Sequence, residues 1–343
     1  MHAIVVDPSA DPKSPEALVW REVPDPDPGA DEVVITVAAA GVNRADLMQR
    51  QGHYPPPPGA SEIIGLECSG VIAAVGDEVT GWSVGDACVA LMAGGGYAEQ
   101  VAVPAGQMIR PPEGVDLVAA AGLVEVAATV ISNLDEVGLG RGDTFLVHGG
   151  AGGIGSFAIG WAKQLGATVI TTAGSDEKLA HCRSLGADHV LSYRDDWAAA
   201  VDDLGGVDVI LDPIGAKYLA THVRLLARGG RLVVIGMQGG RRGELDLAAL
   251  LSRNASVHAT GLRGRPVEEK TAICRRLAAD VWPLFTDGTL PMTPYETVPL
   301  PEAARAHALL ESGDVLGKLV LTAPESTSQL TETPPERACN TRR

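Results

Sequence analysis

Two stretches concentrate the residue types that chemistry needs. Residues 43–61, NRADLMQRQGHYPPPPGAS, set an amide, two guanidinium groups, a carboxylate and a phenol ahead of four consecutive prolines. A solvated helix running into a loop has this composition. So has the polar wall of a substrate cleft, stiffened by the prolines that fix φ behind it. The second stretch is HGGAGGIGS (148–156), between the apolar run TFLV and the helical periodicity of IGSFAIGWAKQLG. Gly150, Gly152 and Gly155 fit G-x-G-x-x-G, with Gly153 and Ile154 inside the turn. Such a turn lets backbone approach a pyrophosphate and packs helix closely on strand, while the helix N-terminus offers free N–H groups to the phosphates. A glycine turn can also be purely structural. The strand before it and the helix after it predict a dinucleotide site.

The choice of dinucleotide falls at the tip of the next strand. NAD sites carry an acid about 20 positions on, which binds the ribose 2′-hydroxyl. Here the strand runs into TTAGSDEKL, with Ala173, Gly174 and Ser175 at its tip. Ser175 can donate to a 2′-phosphate, Lys178 stands one helical turn further on, and Tyr193 adds a hydroxyl at the end of the following strand. The same residues read equally as an N-cap, a solvated helix lysine and a strand-end aromatic. Asp176 and Glu177 are near enough to serve a free ribose. The missing acid together with the available cation favours NADPH over NADH.

These groups need two kinds of scaffold. Residues 1–118 read mostly as short β segments (VVITVAAA, VIAAV, ACVALM, EQVAVP) punctuated by Gly, Pro and Asp, with turns at Gly76–Asp77 and Gly85–Asp86. That texture suits a small barrel. From about residue 119, apolar runs of strand length (TFLVHGG, ATVITTAG, DHVLSY, VDVILD, GRLVVIG) alternate with helical stretches, the last of them AKYLATHVRLLARGG. Such alternation predicts a doubly wound parallel sheet covered on both faces. The β texture returns in YETVPL and GKLVLT around an amphipathic stretch, so the C-terminus is expected to fold back into the first domain. The expected boundaries are 1–120 with 290–322 for one domain, 121–289 for the other, and a disordered tail over 323–343.

The 343 residues carry 27 − 43 = −16 formal charges, which argues against nucleic acid or anionic lipid as a partner. Five scattered cysteines without a CxxC suit a reducing cytosol better than a disulfide or zinc framework. The N-terminus does not read as a signal peptide. Residues 117–130 are apolar but interrupted by Glu125 and expected to be too short for a bilayer, so a cytoplasmic protein without a membrane partner is predicted.

Taken together, NRADLMQRQGHY, PPPGAS, GLECSG and VHGGAGGIGS resemble the zinc-free quinone oxidoreductases of the medium-chain dehydrogenase/reductase superfamily, over residues 1–322. The stress-inducible NADPH:quinone reductase subgroup is the most similar. The resemblance implies a GroES-like β-barrel catalytic domain plus a Rossmann domain, and it ties Ser175, Lys178 and Tyr193 to the 2′-phosphate. Where the zinc branch carries a Cys and a His, this chain has Asn43 and Leu66, so no metal is expected. Without a Lewis acid the acceptor must itself be electrophilic, a quinone or an activated alkene.

The implied roles place Asn43 on the substrate or the nicotinamide ribose, and Tyr54 as a donor to the developing oxyanion or as an aromatic lid. The loop around Gly94–Gly96 would complete the pocket. Thr129 would meet the nicotinamide carboxamide, with Ala127 enlarging the space beside it. Gly236 and Met237 would pass beside the cofactor, Leu262 and Arg263 would approach the nicotinamide, and Lys318 would lie near the interdomain cleft. Arg44 and Arg50 are expected to be solvated, and Asp46 to cap a helix or pair with an Arg. ASVHATGL (255–262) is expected at a sheet edge that pairs across a homodimer axis. An enoyl-thioester reductase with Tyr54 as proton donor, and an NADPH-binding protein without turnover, remain the rival readings.

Overall fold

β-Branched and small apolar residues dominate the strands, and the structure, a computed structural model, describes residues 1–324. The tail expected from 323 therefore lies, from residue 325 on, outside the described residues. Strands β1 (His2–Val6) and β2 (Leu18–Glu22) pair antiparallel. Five more precede the interdomain helices: β3 (Glu32–Val42), β4 (Glu67–Val75), β5 (Ala87–Leu91), β6 (Gln100–Pro104) and β7 (Met108–Ile109). Six follow, β8 (Thr144–His148), β9 (Thr168–Ala173), β10 (His189–Ser192), β11 (Val207–Asp212), β12 (Leu226–Val234) and β13 (Ser256–Ala259). The last two are β14 (Tyr295–Pro299) and β15 (Lys318–Thr322).

β3 is the hub of the first sheet. It pairs antiparallel with β4, β6 and β15, and its side chains are buried on both faces along nearly its whole length. The C-terminal strand thus lies against it with Leu319 opposite Val42, which puts Lys318 beside Asn43 at the end of β3. The second sheet runs β10-β9-β8-β11-β12-β13, all parallel, the doubly wound order in which ligands bind where the chain reverses direction. One hydrophobic core joins the two sheets: Val89 and Leu91 from the first meet Val126, Val130, Val147 and Phe157 from the second half.

Three expectations change. The helix before β12 spans Leu219–Leu225 and does not continue through ARGG. Leu226 pairs with Val207 instead, and Gly229 adopts φ +77°, a conformation that ends helices cheaply. The apolar region read as too short for a bilayer extends over Leu117–Glu136, 20 residues, long and apolar enough to cross one by length and composition; yet 72% of its apolar 18-residue window is buried inside the fold. Arg50, expected in solvent, is 1% exposed. Its guanidinium donates to Pro12 O and Lys13 O, pairs with Glu311, and lies 3.3 Å from His307 Nδ1. A guanidinium has no lone pair with which to accept, so it must donate to His307, whose Nε2–H then faces Tyr97 Oη at 3.3 Å while Tyr97 donates to Asp46.

Burial, reinforced by Arg50, pushes His307 down to about 3; burial and then His222 do the same to His148. The unfolded chain binds protons at both imidazoles below their ordinary 6.5, and the folded chain does not until about pH 3. Stability from these two residues is therefore full above about pH 6.5 and lost on acidification towards about 3, at about 1.4 kcal/mol per pH unit for each. Urea-unfolding free energies measured between about pH 4 and 6 should show a slope reduced by one proton in His307→Gln. An unchanged slope would assign the acid sensitivity to carboxylates alone.

Candidate active site

The glycines of the turn after β8 divide their work. Gly149 turns the chain at φ +69°. A Cβ on Gly150 would stand 2.2 Å from Thr171 Oγ1, and one on Gly155 would stand 2.3 Å from Gly149 O, so both positions are fixed by close packing of the turn and its helix. A Cβ on Gly152 would meet nothing nearer than Gly149 O at 3.6 Å, so this face is open. The helix Gly153–Gln164 starts there without a side-chain cap, which leaves its first N–H groups free for an anion. Gly152, Gly153, Ile154 and Gly155 line a cavity of about 260 Å³ with Ala173, Gly174, Lys178, Tyr193 and Lys318.

At the far end, Tyr193 lies across Gly174, where a Cβ would be 2.0 Å from its hydroxyl oxygen, so a larger residue would displace the exposed tyrosine ring. Ser175 accepts the Lys178 N–H at 3.4 Å as N-cap of the helix Asp176–Ser184, and Lys178 Nζ donates to Gly313 O. Ser175 and Gly150 do not reach the cavity lining; Lys178 and Tyr193 do. No carboxylate stands at the tip of β9, so the residues present fit a dinucleotide with an anionic group at that end.

A larger cavity of about 470 Å³ adjoins the first through Asn43, Arg44, Ile154, Pro213 and Gln238. Between them lies a buried polar cluster. Lys318 Nζ donates to Glu67 Oε1 (2.7 Å), Asn43 Oδ1 (2.7 Å) and Val42 O (3.2 Å). Glu67 Oε1 also accepts Asn43 Nδ2 at 2.9 Å, and Oε2 accepts the Glu125 backbone N–H at 2.9 Å. Gly41 is dictated by this arrangement, since a Cβ there would stand 2.2 Å from Glu67 Oε1. Asn43 thus spends its carbonyl and one amide N–H inside the protein, leaving one N–H for a ligand. Asp46 accepts the Asn43 backbone N–H at 2.7 Å, capping its helix as expected, and pairs with Tyr97 rather than an arginine. Burial pushes Asp46 up to about 7, and burial followed by the Glu67 charge pushes Glu125 up to about 7.

Glu125 and Thr129, one helical turn apart, share the face that lines the larger cavity, joined by a 3.1 Å hydrogen bond from Thr129 Oγ1 to Glu125 Oε1. Ala127, expected to widen the pocket, points the other way into the core and leaves the cavity unchanged. Tyr54, Met48, Leu66, Leu91, Met92, Gly236, Met237 and Leu262 supply more of the wall; Gly94–Gly96 do not reach it. Arg263 is 4% exposed and serves as a staple: it donates to Ala93 O (2.7 Å), Tyr54 O (2.9 Å) and Gln49 Oε1 (2.7 Å), with its guanidinium 5.1 Å from the centre of the Tyr54 ring. The Tyr54 hydroxyl makes no hydrogen bond among the described residues, and burial raises its pKa.

The part played by Glu67 was missed because its partners lie 24 and 251 residues away, and its neighbours GLECSG carry no local signal.

Residues 29–113 match the alcohol dehydrogenase GroES-like domain, and residues 153–278 match the zinc-binding dehydrogenase domain. A mycobacterial quinone oxidoreductase is 33% identical, with a TM-score of 0.79 and coverage of 94% of this chain and 99% of that one. Escherichia coli quinone oxidoreductase, complexed with NADPH, is 28% identical with a TM-score of 0.83, covering 94% and 100% of the two chains. The mycocerosic acid synthase-like polyketide synthase of Mycobacterium tuberculosis is 32% identical over 318 residues, 91% of this chain and 15% of that protein. The chain therefore spans a small part, 14–15%, of the curated relatives it matches. It belongs to the medium-chain dehydrogenase/reductase superfamily, in the quinone oxidoreductase branch. Among the described residues no group of three His, Cys, Asp or Glu side chains could hold a metal.

Lys318→Met removes the ammonium that the buried Glu67 carboxylate faces. The expected loss is about 3–5 kcal/mol, because the buried carboxylate is left without its partner. Chemical denaturation of parent and variant checks this; a loss below about 1 kcal/mol would show that the pair contributes little to stability.

Proposed function

We propose that the chain catalyses zinc-independent, NADPH-dependent reduction of quinones or similarly electrophilic carbonyls. The observation that carries the reading is the junction of the two cavities: an anion-binding turn without a ribose-binding acid opens through Ile154 into an apolar chamber with few polar groups. Similarity to quinone oxidoreductases supports it, one of which is complexed with NADPH. Bound NADPH supplies the hydride. The N–H groups at Gly152–Gly155 would hold the pyrophosphate, and Lys178 and Tyr193, which line the same cavity, would answer the 2′-phosphate, with Ser175 capping the helix that carries Lys178. Thr129, Gly236, Met237 and Leu262 line the larger chamber and would hold a nicotinamide there, while Lys318 lines the first cavity. Arg263 fixes the wall that carries Tyr54, whose unpaired hydroxyl donates to the oxygen that becomes negative.

Reduction of an enoyl thioester is the second reading. It is supported by the 32% identity to a polyketide synthase and by the same free Tyr54 hydroxyl, which can deliver a proton to carbon. An NADPH-binding role without turnover is the third.

A homodimer through the open edge of β13 accompanies the proposal. Leu247 and Leu251, 63% and 77% exposed on the helix just before that strand, favour a covered edge. On this reading Leu251→Glu should shift sedimentation towards a monomer; a monomeric parent protein would remove the idea.

The decisive assay is NADPH oxidation by the metal-stripped protein, with an ortho-quinone and an enoyl thioester in parallel. Turnover with the quinone alone supports the first reading, and with the thioester alone the second. Binding of NADPH without oxidation by either acceptor supports the third. Lys178→Ala should raise the NADPH KM about tenfold or more and leave NADH use nearly unchanged. Equal effects on both cofactors would detach Lys178 from the 2′-phosphate.

A further inference from the structure

Glu125 occupies the boundary between the buried cluster and the substrate chamber, and its two carboxyl oxygens have different fates. Oε1 accepts the Thr129 hydroxyl, while Oε2 has no hydrogen-bond partner among the described residues. The other acids nearby are committed. Glu67 takes Lys318 and Asn43 on one oxygen and the Glu125 backbone N–H on the other, so the ammonium is hydrogen-bonded to Glu67 and not to Glu125. Asp46 faces the Asn43 N–H and the Tyr97 hydroxyl. The groups facing Glu125 are thus Glu67 from β4, Lys318 from β15, Asp46 from the helix after β3, Thr129 from its own helix, and Tyr54 across the chamber. One ammonium stands among three carboxyl groups, and the hydrogen bonds assign it to Glu67.

We infer that Glu125 is held as a neutral acid and presents its O–H to the chamber as hydrogen-bond and proton donor to the substrate oxygen. The step rests on the reductive reaction proposed above. Hydride from NADPH brings two electrons to the acceptor, the new negative charge settles on the substrate oxygen, and the Glu125 O–H bond breaks as the proton moves to that oxygen. Glu125 is left as a carboxylate beside Glu67, a repulsive arrangement that favours reprotonation from water entering through the open chamber. Loss of this proton in the resting protein as pH rises through neutrality follows from the same surroundings.

Infrared difference spectroscopy on the protein saturated with NADP⁺ separates this role from turnover. Adding hydroquinone at about pH 6 should shift a protonated-carboxyl C=O band, and the band should be missing from Glu125→Gln. Asp46, also pushed up to about 7, supplies a reference band in both proteins; a hydroquinone-sensitive band that survives in Glu125→Gln, or the absence of any such band in the parent, overturns the inference, whichever acceptor the protein turns over. With a quinone acceptor, kcat/KM should fall above about pH 7 in the parent protein. In Glu125→Gln it should be about 10²-fold lower and flat across that range. An alkaline limb that persists in the variant also overturns it. A protein that oxidises NADPH with neither acceptor defeats the proposed reaction instead, and the infrared bands then decide the state of Glu125 on their own.

Discussion

The contact between Lys318 and Glu67 ties the molecule together, because its partners come from opposite ends of the chain. Lys318 lies 251 residues from Glu67 and 275 from Asn43. Only the antiparallel register of β15 on β3 brings them within hydrogen-bonding distance. Taking an ammonium and a carboxylate out of water costs several kcal/mol per ion, and attraction offsets this only when the remaining donors and lone pairs are also satisfied. Here they are, since the ammonium spends all three protons and the carboxylate uses both oxygens. The aliphatic stem of the same lysine packs where a Cβ on Gly153 would be 2.6 Å away, so the pair also abuts the start of the nucleotide-binding helix. An error in closing the first sheet would therefore be felt in the second domain.

A second polar chain runs behind this one. Asp46, Tyr97, His307, Arg50 and Glu311 connect the base of the Asn43 helix to the surface. Arg50 sets the direction of the chain by its inability to accept, which forces every later hydrogen to point towards Asp46. Such a network specifies the helix position sharply, since no member can rotate without stranding a buried neighbour. The apparent excess of polarity in the sequence stretch 43–50 is thus divided between two tasks: Asn43 serves the site, whereas Arg50 serves the fold.

That division marks the limit of what the sequence made legible. The alternation of strand and helix, the glycine turn and the return of β texture near residue 295 are local patterns, and each became the expected kind of element. The glycine roles were legible because steric demands at Gly150 and Gly155 are set by residues that pack in every such turn. Arg50 and Glu67 were not legible, because their partners Glu311, His307 and Lys318 are distant in the chain and nothing near them changes composition. Ala127 was misread for a different reason. A comparison of segments shows which residue is replaced but not the side of the helix on which it falls, and the i, i+4 relation of Glu125 and Thr129 would have put it on the opposite side.

The placement of the cations also bears on what the chamber can receive. Arg263 has three acceptors and stacks near Tyr54, and Lys318 has three of its own, so neither offers its charge to a ligand in the larger cavity. Arg44, exposed and lining both cavities, is the one cation of that wall without an ion pair or hydrogen bond among the described residues. The other polar residues of the lining are Asn43, Tyr54, Glu125, Thr129, Asn133, Gln238 and Thr260, and Asn133 is occupied by Thr260 and by the Thr129 carbonyl. An uncharged planar acceptor loses little on entering such a space. An anionic group would give up hydration without a compensating cation inside, so a charged carrier has to keep its charge at the mouth, where Arg44 stands. Selection by charge at this site is therefore made at the entrance, and selection by electrophilicity is left to the interior.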